Sequence, residues 1–256
     1  MHLVYFADPL CSWCYGFGPE LAKLSARHPG TRVDLVMGGL RPFNREPATD
    51  AFKEMIREHW DHVARASGLP FDPAALDREG FVYDTEPACR AVVTGRKLDP
   101  SRALGLLKAI QSAFYRDALD VMQPGVLADI AAGCGYDRAG FLAELESPEM
   151  REQTTQDFAT AQSLGVSGFP TVGAAYGPQL YLVTSGFVTE TCSNTASPRS
   201  TDSSRRSPHD GSRARGHGAL GARVLRRRCR RASRPPGDRS PTSMPSGSHR
   251  PRLRLP

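Results

Sequence analysis

Residues 191–256 contain no phenylalanine, tyrosine or tryptophan and no lysine, and are rich in arginine, serine, proline and glycine. A segment of that composition has too little apolar surface to offset the entropy of ordering it, so it reads as a disordered Arg/Ser/Pro-rich tail. Nowhere does the chain hold a run near the roughly 20 apolar residues that a membrane-spanning helix needs. The opening Met1-His2-Leu3-Val4-Tyr5-Phe6-Ala7-Asp8 lacks a basic region, and its apolar run is too short for a secretory signal. A cytoplasmic protein is expected, where structural disulfides are uncommon. Of the six cysteines, Cys89, Cys134, Cys192 and Cys229 stand alone, and there is neither a second Cys-x-x-Cys nor a His-x-x-x-His. A zinc site built on the remaining pair would lack its other ligands, so no metal is expected. The net charge of +6 is the sum of two unlike parts. Residues 1–190 carry 17 Lys+Arg against 24 Asp+Glu; the rest carry 16 Arg against 3 acids. A basic isoelectric point therefore misdescribes the part that can fold.

What is present is organised around Asp8-Pro9-Leu10-Cys11-Ser12-Trp13-Cys14-Tyr15-Gly16-Phe17-Gly18-Pro19. The apolar His2-Leu3-Val4-Tyr5-Phe6 before it reads as a buried strand, and Glu20-Leu21-Ala22-Lys23-Leu24 after it as a helix. The cysteine pair therefore sits where a strand hands over to a helix N-terminus. Unpaired amides and the helix dipole favour an anion there, and a thiolate is stabilised. Cys11, nearest those amides, is the expected nucleophile, and Cys14, one turn further in, the resolving thiol. Asp8 either disfavours the thiolate or caps the helix, and the sequence leaves that choice open.

These residues resemble the start of a DsbA-like thioredoxin-fold protein of the FrnE-like, predicted disulfide-isomerase branch. Pro19 stands at the spacing of the helix-kinking proline of thioredoxins. Leu164-Gly165-Val166-Ser167-Gly168-Phe169-Pro170-Thr171-Val172 is similar to the family segment whose proline is cis and faces the disulfide. Thr85-Glu86-Pro87-Ala88-Cys89-Arg90-Ala91 resembles part of the family's helical insertion. The resemblance covers about residues 1–190. It implies an α/β, thioredoxin-like fold with a large helical insertion, a cis Pro170, and a substrate groove lined by Phe169, Pro170 and Trp13.

Along the chain, Arg32-Val33-Asp34-Leu35-Val36-Met37-Gly38 reads as a second strand, parallel to the first because a helix intervenes. Residues 1–46 and 163–190 form a split thioredoxin-like domain, and 47–162 a helical insertion. Within that insertion Phe52, Met55, Ile56, Trp60 and Val63 recur at helical spacing and read as core, and Cys89 and Cys134 read as inert buried thiols. Pro170-Thr171-Val172-Gly173 and Leu180-Tyr181-Leu182-Val183-Thr184, joined by Gly177-Pro178, read as a closing hairpin. The family then has a helix, which Gly186-Phe187-Val188 approaches and the tail replaces. Arginine without lysine, beginning where a core helix is due, points to GC-rich DNA translated out of frame. The alternative is a genuine basic arm for nucleic acid or an acidic partner.

The activity implied is thiol–disulfide oxidoreductase or disulfide isomerase, with the Cys11–Cys14 disulfide as redox centre, no other cofactor, and protein or small thiol substrates. Two alternatives compete. A glutathione-dependent isomerase or transferase of the same fold normally keeps serine at the nucleophile position, against which Cys11 and Cys14 argue. A non-enzymatic protein would bind through its basic tail.

Overall fold

Strand β1 (His2–Ala7) is central because its side chains are needed on both faces: Leu3, Tyr5, Phe6 and Ala7 are all buried. The computed structural model describes residues 2–188; the tail assigned to 191–256, and the helix due after Phe187, lie outside the described residues. Strand β2 (Val33–Met37) pairs with β1 in parallel, from Leu3 with Val33 to Ala7 with Met37. On the other side β3 (Thr171–Tyr176) runs antiparallel to β1, and β4 (Gln179–Ser185) antiparallel to β3, giving the order β2-β1-β3-β4. The mixed sheet, parallel on one side of β1 and antiparallel on the other, agrees with the thioredoxin-like expectation. On the outer strand β4, Leu180, Tyr181 and Leu182 are exposed.

Helix α1 (Ser12–Arg27) crosses from β1 to β2 and buries Cys14, Tyr15, Phe17 and Leu21; Pro19 lies inside it. Six further helices fill the chain between β2 and β3: α2 (Asp50–Ser67), α3 (Glu86–Leu98), α4 (Ala103–Tyr115), α5 (Pro124–Gly133), α6 (Arg138–Leu145) and α7 (Pro148–Ser163). Helix α2 is delimited by local chemistry. Thr49 caps its first turn by accepting from the Phe52 amide, and Gly68, at φ 73°, takes the left-handed conformation that ends it. It packs against α1 where Gly16 leaves room; a Cβ at Gly16 would lie 2.8 Å from Val63 Cγ1.

Helix α3 is buried along nearly its whole length, from Glu86 to Gly95, which makes it the axis of the helical layer. Its charges are internally matched. Arg90 holds Glu86 at 2.8 Å and donates to the Leu145 carbonyl at 2.6 Å. Arg96 grips Asp157 of α7, whose carboxylate also accepts from the Met37 amide at the end of β2. The Arg96–Asp157–Met37 link ties α3 and α7 to the C-terminal end of β2, beside the site. An aromatic cluster of Trp60, Phe71, Phe114 and Tyr115 joins the helical layer to α1 through Tyr15, which stacks on Tyr115 at 4.9 Å. No helix among the described residues is long and apolar enough to cross a membrane.

Candidate active site

Cys11 is the residue at which the extended chain after β1 turns into α1, and its carbonyl accepts from the amides of Cys14 and Tyr15 at 2.9 and 3.1 Å. No side chain caps this helix start, so the first amides are left to the site itself. Both cysteines are free thiols. Their environments differ: Cys11 keeps 6% exposure while Cys14 has none, so a substrate sulfur can meet only the first. Burial pushes the Cys14 thiol well up, and the adjoining Cys11 adds to that, which favours the protonated thiol.

The opposite wall comes from the far end of the chain. The Phe169–Pro170 bond is cis, and Cys11 Sγ donates to the Phe169 carbonyl at 3.6 Å. Pro170 is buried, and its carbonyl accepts from the Gly186 amide at 2.7 Å, which ties the segment to the end of β4. The tip of the Phe169 ring lies against Gly38, directly after β2; a Cβ there would overlap it, 1.9 Å from Cζ. Gly39, at φ 65°, does the same for Phe158. Gly38→Ala should therefore displace the Phe169 ring and, for the thiol–disulfide exchange the sequence resemblance implies, cut turnover of a disulfide substrate about 10- to 100-fold, the cost of misplacing a group by about an ångström. Steady-state rates check this, with Gly38→Ala/Phe169→Leu expected to regain most of the loss; an unchanged rate in the single variant would contradict it.

Asp8 is fully buried and joins three segments. Its carboxylate accepts from the Leu10 amide at 2.8 Å, the Leu40 amide at 2.6 Å and the Cys89 thiol at 3.4 Å. Of the two roles open from sequence, helix capping is not observed. Burial pushes the Asp8 carboxyl up against the opposing effect of those donors, and its charge in turn disfavours the thiolates of Cys14 and Cys89. Tyr83 donates to the Leu10 carbonyl at 2.5 Å, and burial keeps its phenol protonated. Cys89 is buried as expected, but Cys134 is only half-buried, because it lies just past the end of α5 rather than on its packed face.

A groove of about 750 Å³ opens over Cys11. Its floor is the cysteine loop with Trp13. One wall is the Leu40–Arg41 strap and Phe169, and the other is α2 with Phe52, Met55, Ile56, His59 and Trp60. Here the core reading of the α2 stripe needs correcting. Ile56, Trp60 and Val63 are core, but Met55 is 55% exposed and Phe52 half-buried, because α1 covers only part of that stripe. Trp13 is half-buried, with His59 at 5.9 Å and Phe187 at 5.3 Å, and still lines the groove. Arg41, His59 and Tyr83 were not legible as site residues; only the helical recurrence of Phe52, Met55, Ile56, Trp60 and Val63 marked α2, the wall to which His59 belongs. Among the described residues no cluster of three or more His, Cys, Asp or Glu could hold a metal ion.

The sequence model of the DSBA-like thioredoxin domain matches residues 2–178. A crystal structure of a candidate protein disulfide isomerase from Nitrosomonas europaea is 34% identical, with a TM-score of 0.70, covering 75% of this chain and 93% of that one. The cytosolic disulfide reductase DsbM from Pseudomonas aeruginosa is 27% identical, with a TM-score of 0.62, covering 72% of this chain and 89% of that one; it has also been solved with GSH. The ClpXP adapter protein SpxH of Bacillus subtilis is 22% identical over 175 residues, which cover 67% of this chain but 57% of SpxH. The chain thus spans little more than half the length of the curated relatives it matches.

Proposed function

The chain belongs to the DSBA-like thioredoxin domain family, and from that premise we propose that it is a thiol–disulfide oxidoreductase whose redox centre is the Cys11–Cys14 pair, acting in the cytoplasm on protein or small-molecule disulfides. The observation that carries this reading is the asymmetry of the pair. One thiol reaches the groove beside the Phe169 carbonyl, and its partner is sealed beneath it one turn along the helix. In the proposed cycle the Cys11 thiolate attacks one sulfur of a substrate disulfide, forming a mixed disulfide and releasing the other sulfur as a thiolate. Cys14 then loses its proton and attacks Cys11 Sγ. The Cys11–Cys14 disulfide forms, the second substrate thiolate leaves, and two electrons have passed to the substrate. An external thiol returns the pair to the dithiol; the GSH held by DsbM makes glutathione the first candidate. Phe169 and Trp13 line the groove in which the substrate chain would lie, whereas Pro170, expected beside them, is buried and does not line it.

Equilibrating the protein in glutathione redox buffers, quenching in acid and measuring the mass tests the reading. A two-proton mass loss mapped to Cys11 and Cys14, titrating as a two-electron couple, is expected. Absence of that disulfide under every buffer ratio would overturn it. A second reading, a protein-binding adapter, draws on the SpxH similarity. It requires partner binding that persists when both cysteines are serine.

A further inference from the structure

The groove over Cys11 contains two basic side chains, Arg41 and His59, and no carboxylate among its described lining residues. The two bases are not equivalent. Desolvation, then neighbouring His62, holds the His59 imidazole below its ordinary range, so near neutral pH it is largely uncharged. Arg41 therefore supplies the fixed positive charge.

Arg41 is held in place without being neutralised. Its amide donates to Thr85 Oγ1 at 3.2 Å, and its carbonyl accepts from the Thr85 amide at 3.2 Å. The preceding Leu40 amide is bound to buried Asp8, and Phe43, at φ 62°, donates its amide to Asp84 at 2.8 Å. The guanidinium lies 4.3 Å from the centre of the Phe52 ring. Stacking on an aromatic face leaves the in-plane N–H donors free at the edge of the fork, the geometry that takes a carboxylate by two parallel hydrogen bonds. Arg57, Arg90, Arg96, Arg102, Arg116 and Arg138 each have an acidic partner, whereas Arg41 forms no ion pair among the described residues.

We propose that Arg41 is the carboxylate-binding residue of this groove, and that the site takes small, carboxylate-bearing disulfides and thiols. The inference rests on the oxidoreductase reading and adds its substrate class. Arg41 has no part in the sulfur chemistry. Its charge-assisted bond holds the acid group of the substrate against the strap, so that the substrate sulfur lies over Cys11.

The experiment compares three disulfides: glutathione disulfide, uncharged bis(2-hydroxyethyl) disulfide, and a peptide disulfide carrying aspartate beside its cysteine. Each is assayed, with dithiothreitol as the reductant and its uncatalysed rate subtracted, with the full chain and with Arg41→Gln and Arg41→Lys. One charged hydrogen bond is worth about 10- to 100-fold in binding. In Arg41→Gln the ratio of kcat/KM for glutathione disulfide to that for the uncharged disulfide should fall by about that factor, chiefly through KM. Arg41→Lys should recover part of the ratio. The uncharged substrate also reports whether the variant is folded, since a general collapse lowers both rates and leaves their ratio unchanged. An unchanged ratio in a variant that keeps the wild-type rate on the uncharged disulfide overturns the inference while the oxidoreductase reading stands. Loss confined to the acidic peptide overturns the assignment to small substrates. A wild-type protein that reduces none of the three overturns the oxidoreductase reading, and this inference with it.

Discussion

Cys11→Ser is expected to reduce disulfide turnover by about 10³-fold or more, to the uncatalysed level, while Cys14→Ser is expected to stop the cycle halfway. The difference follows from where the two sulfurs sit. Cys11 alone reaches the groove, so a serine hydroxyl in its place, scarcely ionised near neutral pH, leaves no competent nucleophile. Cys14 has no exposure, and burial holds its thiol protonated, so it cannot substitute for Cys11 in the attack on an external substrate. In the proposed cycle Cys14 releases the substrate. Without it the mixed disulfide at Cys11 persists and should appear as a covalent adduct on a non-reducing gel, cleared by added dithiol. Turnover of glutathione disulfide and the yield of adduct are the two readouts. Wild-type turnover in Cys11→Ser, or adducts accumulating on Cys14 rather than Cys11, would contradict the assignment.

The largest expected effect on stability lies away from the groove. Arg90 and Glu86 on α3 are almost entirely buried, with side-chain exposures of 5% and 7%. Arg90→Met leaves the Glu86 carboxylate in the core without a partner and removes the donor that satisfies the Leu145 carbonyl at the end of α6. Breaking a buried pair on one side costs about 3–5 kcal/mol, which for a chain of this size lowers Tm by roughly 6–20 °C. Removing both charges, as Arg90→Met/Glu86→Gln, should restore a good part of that, because the penalty comes from the orphaned carboxylate more than from the lost attraction. Thermal melts of the two variants decide the matter. If the single variant melts with the wild type, the pair contributes nothing; if the double variant melts as low as the single, the loss is one of packing rather than charge.

The parts of the fold legible in the sequence are those written in short-range pattern. The apolar run His2–Phe6, the cysteine pair and the amphipathic run after it predicted strand, site and helix, and β1 and α1 are there. A helix between two strands predicted the parallel pairing of β1 with β2, and Gly177-Pro178 predicted the turn between β3 and β4. The α2 stripe was legible as a helix but misread as wholly buried. Periodicity reports that one face is apolar and does not say whether a neighbouring element covers all of it. Arg90 and Glu86 lie inside a segment whose resemblance to the family was noted. Their burial was not legible, since charged residues are ordinarily exposed and only a packed context that pairs them makes burial tolerable.

What the sequence by itself determined is the chemistry available and the local geometry that presents it: two thiols a turn apart at a helix start, just after a buried strand. The hydrogen bonds of one helical turn and the alternation of one strand involve residues only a few positions apart, so their encoding is local. What only the tertiary structure decided is which distant groups meet those thiols. The Phe169 carbonyl stands 3.6 Å from Cys11 across 158 residues of chain. Asp8 binds the amide of Leu40, 32 residues on, and the thiol of Cys89, 81 residues on. Arg41 is brought beside Phe52 by the strap that Asp8 and Thr85 hold. Each of these contacts exists because separately encoded elements pack on one core, and the free energy that selects the packing is summed over the whole interior, so no single segment carries a record of it.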